Sequence, residues 1–215
     1  MSEKFSVIFD MDGTLLDTQK LFVPAWEHAG RVQGIEGAGK HVYNLCGMND
    51  EGCRRYIREN MPMIDVERFR ADMHEYIKEN CVVKFRDGAE ELLYFLKANG
   101  IKIGLASGSS REVVERNLGA LDITDIFDAI VSGNEVQNGK PAPDIFLLAA
   151  KRMGVNSQSC IVFEDSPHGI QAGNVAGMKC IGYPDLIQFD EQTCDILLAQ
   201  VTDLKDAIPI LKNYL

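Results

Sequence analysis

Positive charge is scarce in this chain. Lysine and arginine number 22 against 32 aspartates and glutamates, a formal net charge of -10 with a pI near 4.9. That balance argues against non-specific binding to nucleic acid or to an anionic membrane surface. Long apolar runs are missing as well. No stretch approaches membrane-spanning length, and Met1-Ser2-Glu3-Lys4 leads into a strand-like run without signal-peptide architecture. The expected location is the cytoplasm. The six cysteines (Cys46, Cys53, Cys81, Cys160, Cys180 and Cys194) include no Cys-x-x-Cys pair and no histidine partner at zinc spacing. They read as reduced thiols that mostly fill the core. Internal repeats and low-complexity segments are also lacking, and 215 residues suffice for one good core, or a core with a smaller attachment.

What is present starts with Phe5-Ser6-Val7-Ile8-Phe9, a short run typical of a strand buried in a parallel sheet. It breaks off into Asp10-Met11-Asp12-Gly13-Thr14. Residues two apart on an extended chain point the same way, so Asp10 and Asp12 can face one spot beyond the strand's carboxyl end, where open α/β sheets keep their ligands. Two carboxylates there repel unless a cation lies between them. Mg²⁺ suits such a site, because it takes one or two carboxylates, keeps several waters and then meets a substrate phosphate. A plain Asp-Gly turn is the competing reading. A calcium loop is not, since it needs glycine where Leu15 stands and glutamate where Leu21 stands.

After Thr14 the pattern becomes helical. Leu21, Phe22, Ala25, Trp26 and Ala29 share one helical face, with Asp17 and Thr18 as caps and Phe22 and Trp26 as core residues. Residues 54–59 and 66–78 read as further helices, and no strand stands out between 16 and 81. From Asp87 onward helix and strand alternate, which implies right-handed crossovers and a parallel sheet. Helices are expected over 90–99, 111–118, 144–153 and 167–176 and near 204–211, and strands over 101–106, 129–132, 160–163 and 179–182. The expected architecture is α/β, a Rossmann-like doubly wound parallel sheet formed by 1–16 and 84–215, with an all-helical insertion over 17–83.

Three more groups reach the same sheet edge. Ser107 ends a strand, and its hydroxyl with nearby backbone N–H groups suits a phosphate, while Ser109 and Glu112 form a capping box that starts the next helix. Lys140 sits in Gly139-Lys140-Pro141-Ala142-Pro143-Asp144, whose stiff flanks hold the only cation of that stretch where it can neutralise a phosphoryl group. Glu164 and Asp165 follow Ile161-Val162-Phe163. Ser166-Pro167 already supplies a helix start, which leaves these two acids for another use, a metal first of all. His168 reads as a surface histidine.

In this order on alternating strands, Asp10-x-Asp12-Gly13-Thr14, Ser107, Lys140 and Glu164-Asp165 resemble the four motifs of the haloacid dehalogenase superfamily. The likeness spans nearly the whole chain. The insertion resembles the C1 cap, and Gly139-Lys140-Pro141-Ala142-Pro143-Asp144 with Phe163-Glu164-Asp165-Ser166 is similar to the β-phosphoglucomutase and sugar-phosphatase branch. The resemblance implies a Mg²⁺-dependent phosphatase that hydrolyses a small phosphorylated metabolite through an aspartyl-phosphate. Asp10 is then the nucleophile and Asp12 the general acid and base. The metal falls to Asp10, Asp165 and the Asp12 carbonyl, with Glu164 acting mostly through water or from behind the ligands. Ser107 and Lys140, with Met11 and Gly108, hold the phosphate. Phe22, Cys46, Gly47, Met48 and Asn49 from the cap and Arg111 from the core are candidate substrate contacts.

Neither nucleic acid nor membrane is an expected partner, and the expected state is a monomer or weak dimer. Asn134 stands where relatives often carry aspartate, which weakens the expected support of Lys140. Three alternatives differ in what they require. A phospho-accepting receiver module has no use for the helical insertion or for Asp12. A dehalogenase needs no metal. A sugar phosphomutase must grip a second phosphate, yet Phe22 and Asp50 stand where that branch carries a histidine and a phosphate-binding arginine, although Arg54 or Arg55 can compensate.

Overall fold

The computed structural model describes residues 5–45, 48, 50–80 and 82–215. Strand β1 (Ser6–Phe9) leads through a short 3₁₀ turn (Gln19–Leu21) into helices α1 (Phe22–Val32), α2 (Asp50–Asn60) and α3 (Val66–Asn80). Then follow α4 (Ala89–Ala98), β2 (Ile103–Ser107), α5 (Arg111–Ala120), β3 (Ala129–Ser132), α6 (Asp144–Met153), β4 (Cys160–Glu164) and α7 (Pro167–Val175). The chain ends with β5 (Lys179–Gly182), α8 (Glu191–Asp195), β6 (Ala199–Gln200) and α9 (Ala207–Lys212). Among the described residues the strands form one parallel sheet in the order β3-β2-β1-β4-β5-β6.

Strand β1 lies between β2 and β4, with Phe9 beside Leu105 on one side and Phe163 on the other. Every residue of β1 is buried, as an apolar run covered on both faces requires. The period of two splits its side chains between two cores. Val7 and Phe9 join Leu105, Phe163 and the α4 leucines Leu92 and Leu96, whereas Ile8 packs with Val162, Phe146 and Ile170. The Phe9 and Phe163 rings stack at 4.9 Å. From β1 the chain winds outward to β3 and then crosses back to β4, so the direction of winding reverses between β1 and β4. A crevice opens at the carboxyl ends of strands at such a reversal.

The helices between β1 and α4 build a third apolar cluster around Trp26, Ile57, Phe69 and Met73, with Trp26 edge-to-face on Phe69 at 5.0 Å. The segments entering and leaving this cluster run side by side. Leu16 pairs antiparallel with Phe85, Asp17 N–H donates to Lys84 O at 2.9 Å, and Arg86 N–H donates to Leu15 O at 3.0 Å. Arg86 also pairs with Asp185 at 2.8 Å and lies over the Tyr183 ring.

Two elements escape the periodicity reading. Strand β6 has two residues and α8 five, too few to establish either period. Among the described residues no helix is long and apolar enough to cross a membrane.

Candidate active site

Asp10 follows β1 directly, and its N–H donates to Phe163 O at 3.0 Å, which fixes it beside the end of β4. Lys140 Nζ reaches it from the loop before α6, pairs with Asp10, and donates to Glu164 Oε1 at 2.6 Å. Glu164 is fully buried, and its other oxygen accepts from Ser166 N–H at 2.8 Å and Ser166 Oγ at 2.9 Å. Of the two expected roles, through water or from behind the metal ligands, its position fits the second, because it is sealed from solvent between Lys140 and Ser166. Gly169 permits this: a Cβ there would overlap the Glu164 carboxyl group.

Asp165 joins from the end of β4. Its Oδ1 accepts from Thr14 Oγ1 at 3.0 Å and its Oδ2 from Gln19 Nε2 at 2.7 Å. The same Gln19 nitrogen donates to the Asp12 carbonyl at 2.7 Å. Gly13, at φ +86°, makes room, because a Cβ on it would lie 2.6 Å from Asp165 Oδ2.

Three buried acids, Asp10, Glu164 and Asp165, thus surround one buried lysine. Burial pushes the Asp10 carboxyl up to about 8 against the pull of Lys140, and Glu164 and Asp12 add to the rise. Asp165 is held well above the usual carboxylate range by burial and then by Glu164 and Asp10. Burial alone would lower Lys140, but the Asp10 and Glu164 carboxylates outweigh it and keep the ammonium charged. Burial thus opposes ionising Asp10 and Asp165 beside Glu164, and a further cation placed among them would favour their charged forms. Two carboxylates, from Asp10 and Asp165, with the Asp12 carbonyl are a hard oxygen set of the size Mg²⁺ takes. Among the described residues no three or more His, Cys, Asp or Glu side chains are arranged around a common metal position.

The Asp12 carboxylate accepts from Thr18 Oγ1 at 2.6 Å, Ser109 Oγ at 2.7 Å and Ser107 Oγ at 3.3 Å. This corrects two sequence expectations. Thr18 makes no side-chain cap, Asp17 pairs with Lys20 and Arg86, and α5 starts at Arg111 with Ser110 in the cap position, without the box predicted for Ser109 and Glu112. Both hydroxyls are spent on a carboxylate instead, and a charged acceptor makes the stronger hydrogen bond. Met11 turns its side chain into the core, and Gly108 lines the space beside Asp12.

That space is a cavity of about 430 Å³ with Asp10, Asp12 and Asp165 at one end. Phe22, Trp26, Leu45, Met48 and Met73 form an apolar wall, and Arg54, Arg70, His74 and Arg116 a polar one. Trp26 is thus both core and wall. Asp50, expected to repel a second phosphate, is ion-paired to Arg54 at 2.8 Å and also to Arg70. The Arg70 Nε atom is buried with no hydrogen-bond partner among the described residues. Burial, and after it Arg70, holds His74 below its ordinary value against the pull of Asp50.

Arg111 is not part of this wall; it pairs with Glu115 at 2.7 Å and Glu135 at 3.7 Å, whereas Arg116 lines the cavity. Cys46, Gly47 and Asn49 lie outside the described residues. Asn134 accepts from Ser132 Oγ and from Arg111 N–H, and Lys140 finds its partners elsewhere, so the loss of an aspartate at 134 does not touch the lysine.

The family model for haloacid dehalogenase-like hydrolases matches residues 7–183. A probable pseudouridine-5'-phosphatase of Drosophila melanogaster is 37% identical over 210 residues, 92% of this chain and 90% of that protein. A phosphorylated carbohydrates phosphatase of Thermotoga maritima is 35% identical over 180 residues, 82% of this chain and 83% of that protein. Among solved structures, a putative beta-phosphoglucomutase from Thermotoga maritima superposes with a TM-score of 0.76 at 29% identity, covering 98% of this chain and 100% of the other.

Proposed function

From the premise that this chain belongs to the haloacid dehalogenase-like hydrolases, we propose that it is a Mg²⁺-dependent phosphatase acting on a small phosphorylated metabolite. The observation that carries this reading is the convergence of Asp10, Asp12 and Asp165 at the floor of one cavity, with Lys140 paired to Asp10, at the point where the sheet reverses its winding. Residues 17–83 then act as the substrate-selecting cap and 1–16 with 84–215 as the catalytic unit. The paired segments at Leu16 and Phe85 mark the crossing between them.

In this mechanism the Asp10 carboxylate attacks phosphorus and the bond to the leaving oxygen breaks, giving an aspartyl-phosphate on Asp10. Asp12 gives a proton to the leaving oxygen, then takes one from the water that hydrolyses the intermediate. Thr18 and Ser109 hold its carboxyl group for both steps. Lys140 offsets charge on the transferring oxygens, and Ser107 with the Met11 and Gly108 backbone completes the cradle. Asp10, Asp165 and the Asp12 carbonyl would hold Mg²⁺, which supplies positive charge so that carboxylate and phosphate can approach each other. The leaving group lies between the apolar wall and the guanidinium wall. That shape suits an organic group with one flat apolar face and several hydrogen-bond acceptors.

The test is phosphate release from a panel that includes pseudouridine 5'-phosphate, sugar phosphates and β-glucose 1-phosphate primed with a sugar bisphosphate. Phosphate should appear with Mg²⁺ and cease in excess chelator. Full turnover in chelator sinks the metal assignment, and an isomerised sugar phosphate outrunning free phosphate turns the reading to a mutase. A second expectation concerns proton transfer. Asp12→Asn should slow both formation and hydrolysis of the phosphoenzyme by about 10²- to 10⁴-fold. Rapid-quench kinetics would check this, and unchanged turnover of esters with poor leaving groups contradicts the role.

A further inference from the structure

The mechanism leaves one buried group unused. Gln19 lies in the 3₁₀ turn that opens the helical insertion, only 7% exposed, and its amide crosses to the core. One nitrogen donates at 2.7 Å to the Asp12 carbonyl and at 2.7 Å to Asp165 Oδ2. Those are two of the three groups assigned above to the metal, and the inference rests on that assignment. The remaining Asp165 oxygen accepts from Thr14.

An amide N–H aimed at an oxygen presents its positive end to the region that a cation binding the same oxygen must enter. Mg²⁺ demands near-ideal octahedral geometry at about 2.0–2.1 Å and tolerates little crowding. The two hydrogens of Gln19 and the dication therefore compete for one pair of oxygens. We propose that Gln19 is a metal-coupled latch: its side-chain amide ties the first turn of the insertion to the Asp12 carbonyl and the Asp165 carboxylate, and binding of the divalent cation displaces that tie.

Two consequences follow from the placement of Gln19. Cation affinity includes the cost of breaking both hydrogen bonds, one of them to a carboxylate. Cation binding also changes the footing of α1, which starts three residues later at Phe22 and carries Trp26 in the cavity wall. The chain has a single tryptophan, so its fluorescence reports on this helix alone.

The experiment titrates chelator-treated protein with Mg²⁺ by calorimetry while following Trp26 fluorescence, in the wild type, Gln19→Ala and Gln19→Met. Methionine keeps the side-chain volume and removes both donors, so it serves if the alanine variant folds poorly. Both variants are expected to bind Mg²⁺ about tenfold or more tightly than the wild type. They are also expected to lose most of the Mg²⁺-dependent change in Trp26 fluorescence. Equal or weaker Mg²⁺ affinity in the variants overturns the latch. An unaltered fluorescence response in them overturns its link to the insertion. If the wild type itself takes up no Mg²⁺, the metal assignment fails first and the latch with it, an outcome distinct from a wild type that binds Mg²⁺ just as its variants do.

Discussion

Asp10→Asn is expected to give a folded protein that releases almost no phosphate, with turnover down by about 10⁴-fold or more, as when a covalent nucleophile is removed. The amide keeps the shape of the carboxyl group and lacks the negative charge that makes its oxygen a nucleophile toward phosphorus. Stability should survive for a reason visible in the site. Burial already pushes the Asp10 carboxyl up to about 8, so a neutral group there is close to what the surroundings favour, and Lys140 retains Glu164. The sign of the pH dependence follows. A carboxyl whose folded-state pKa is raised contributes stability that is complete below the unfolded value near 3.8 and is lost as pH rises through about 8. In chelator, the wild type should therefore lose stability between those limits relative to Asp10→Asn. Thermal melts across that range and rapid-quench detection of phosphoryl on the Asp10 peptide check both halves. Near wild-type turnover in the variant would move the nucleophile elsewhere, with Asp165 the next carboxylate.

Much of this site is written locally in the chain. Strands β1 and β4 announce themselves as apolar runs that stop abruptly at acids, and the same abruptness places Asp10, Asp12, Glu164 and Asp165 at one edge. Bounds of β3, β5 and α6 coincide with the expected 129–132, 179–182 and 144–153, and for α6 the stop is Gly154 in the left-handed region at φ +66°. What local pattern does not carry is the choice between two uses of one group. A hydroxyl before a helix can cap it or reach across the fold. Ser109 reaches Asp12, 97 positions away, and Gln19 reaches Asp165, 146 positions away. Gly169 reads as an ordinary helical glycine until Glu164 is packed against it. Arg111 and Arg116 differ only in which flank of α5 faces the cavity, and the polar pattern of that helix does not mark the flank.

The second large effect is expected at Lys140. Its Nζ lies between Asp10 and Glu164 and 5.0 Å from the face of Phe146, with the side chain only 2% exposed. Removing one partner of a buried ion pair costs far more than the pair contributes, because the remaining charge keeps its desolvation penalty and loses its compensation. Lys140→Met, similar in length and without charge, leaves Asp10, Glu164 and Asp165 buried together with no lysine. The expected destabilisation is about 3–5 kcal/mol, a fall in melting temperature of roughly 10 °C for a chain of this size, with phosphatase activity lost as well. Gly169→Ala should move stability in the same direction by forcing the Glu164 carboxyl away from Lys140. The discriminating experiment is the double variant. If the penalty of Lys140→Met is the stranded acid charge, then well above pH 8, where Asp10 is driven to ionise, adding Asp10→Asn removes part of that charge and the pair should be more stable than Lys140→Met alone, a non-additive outcome that denaturant titration resolves. Additive losses would show instead that Lys140 stabilises through packing against Phe146, and its charge would then matter to the chemistry alone.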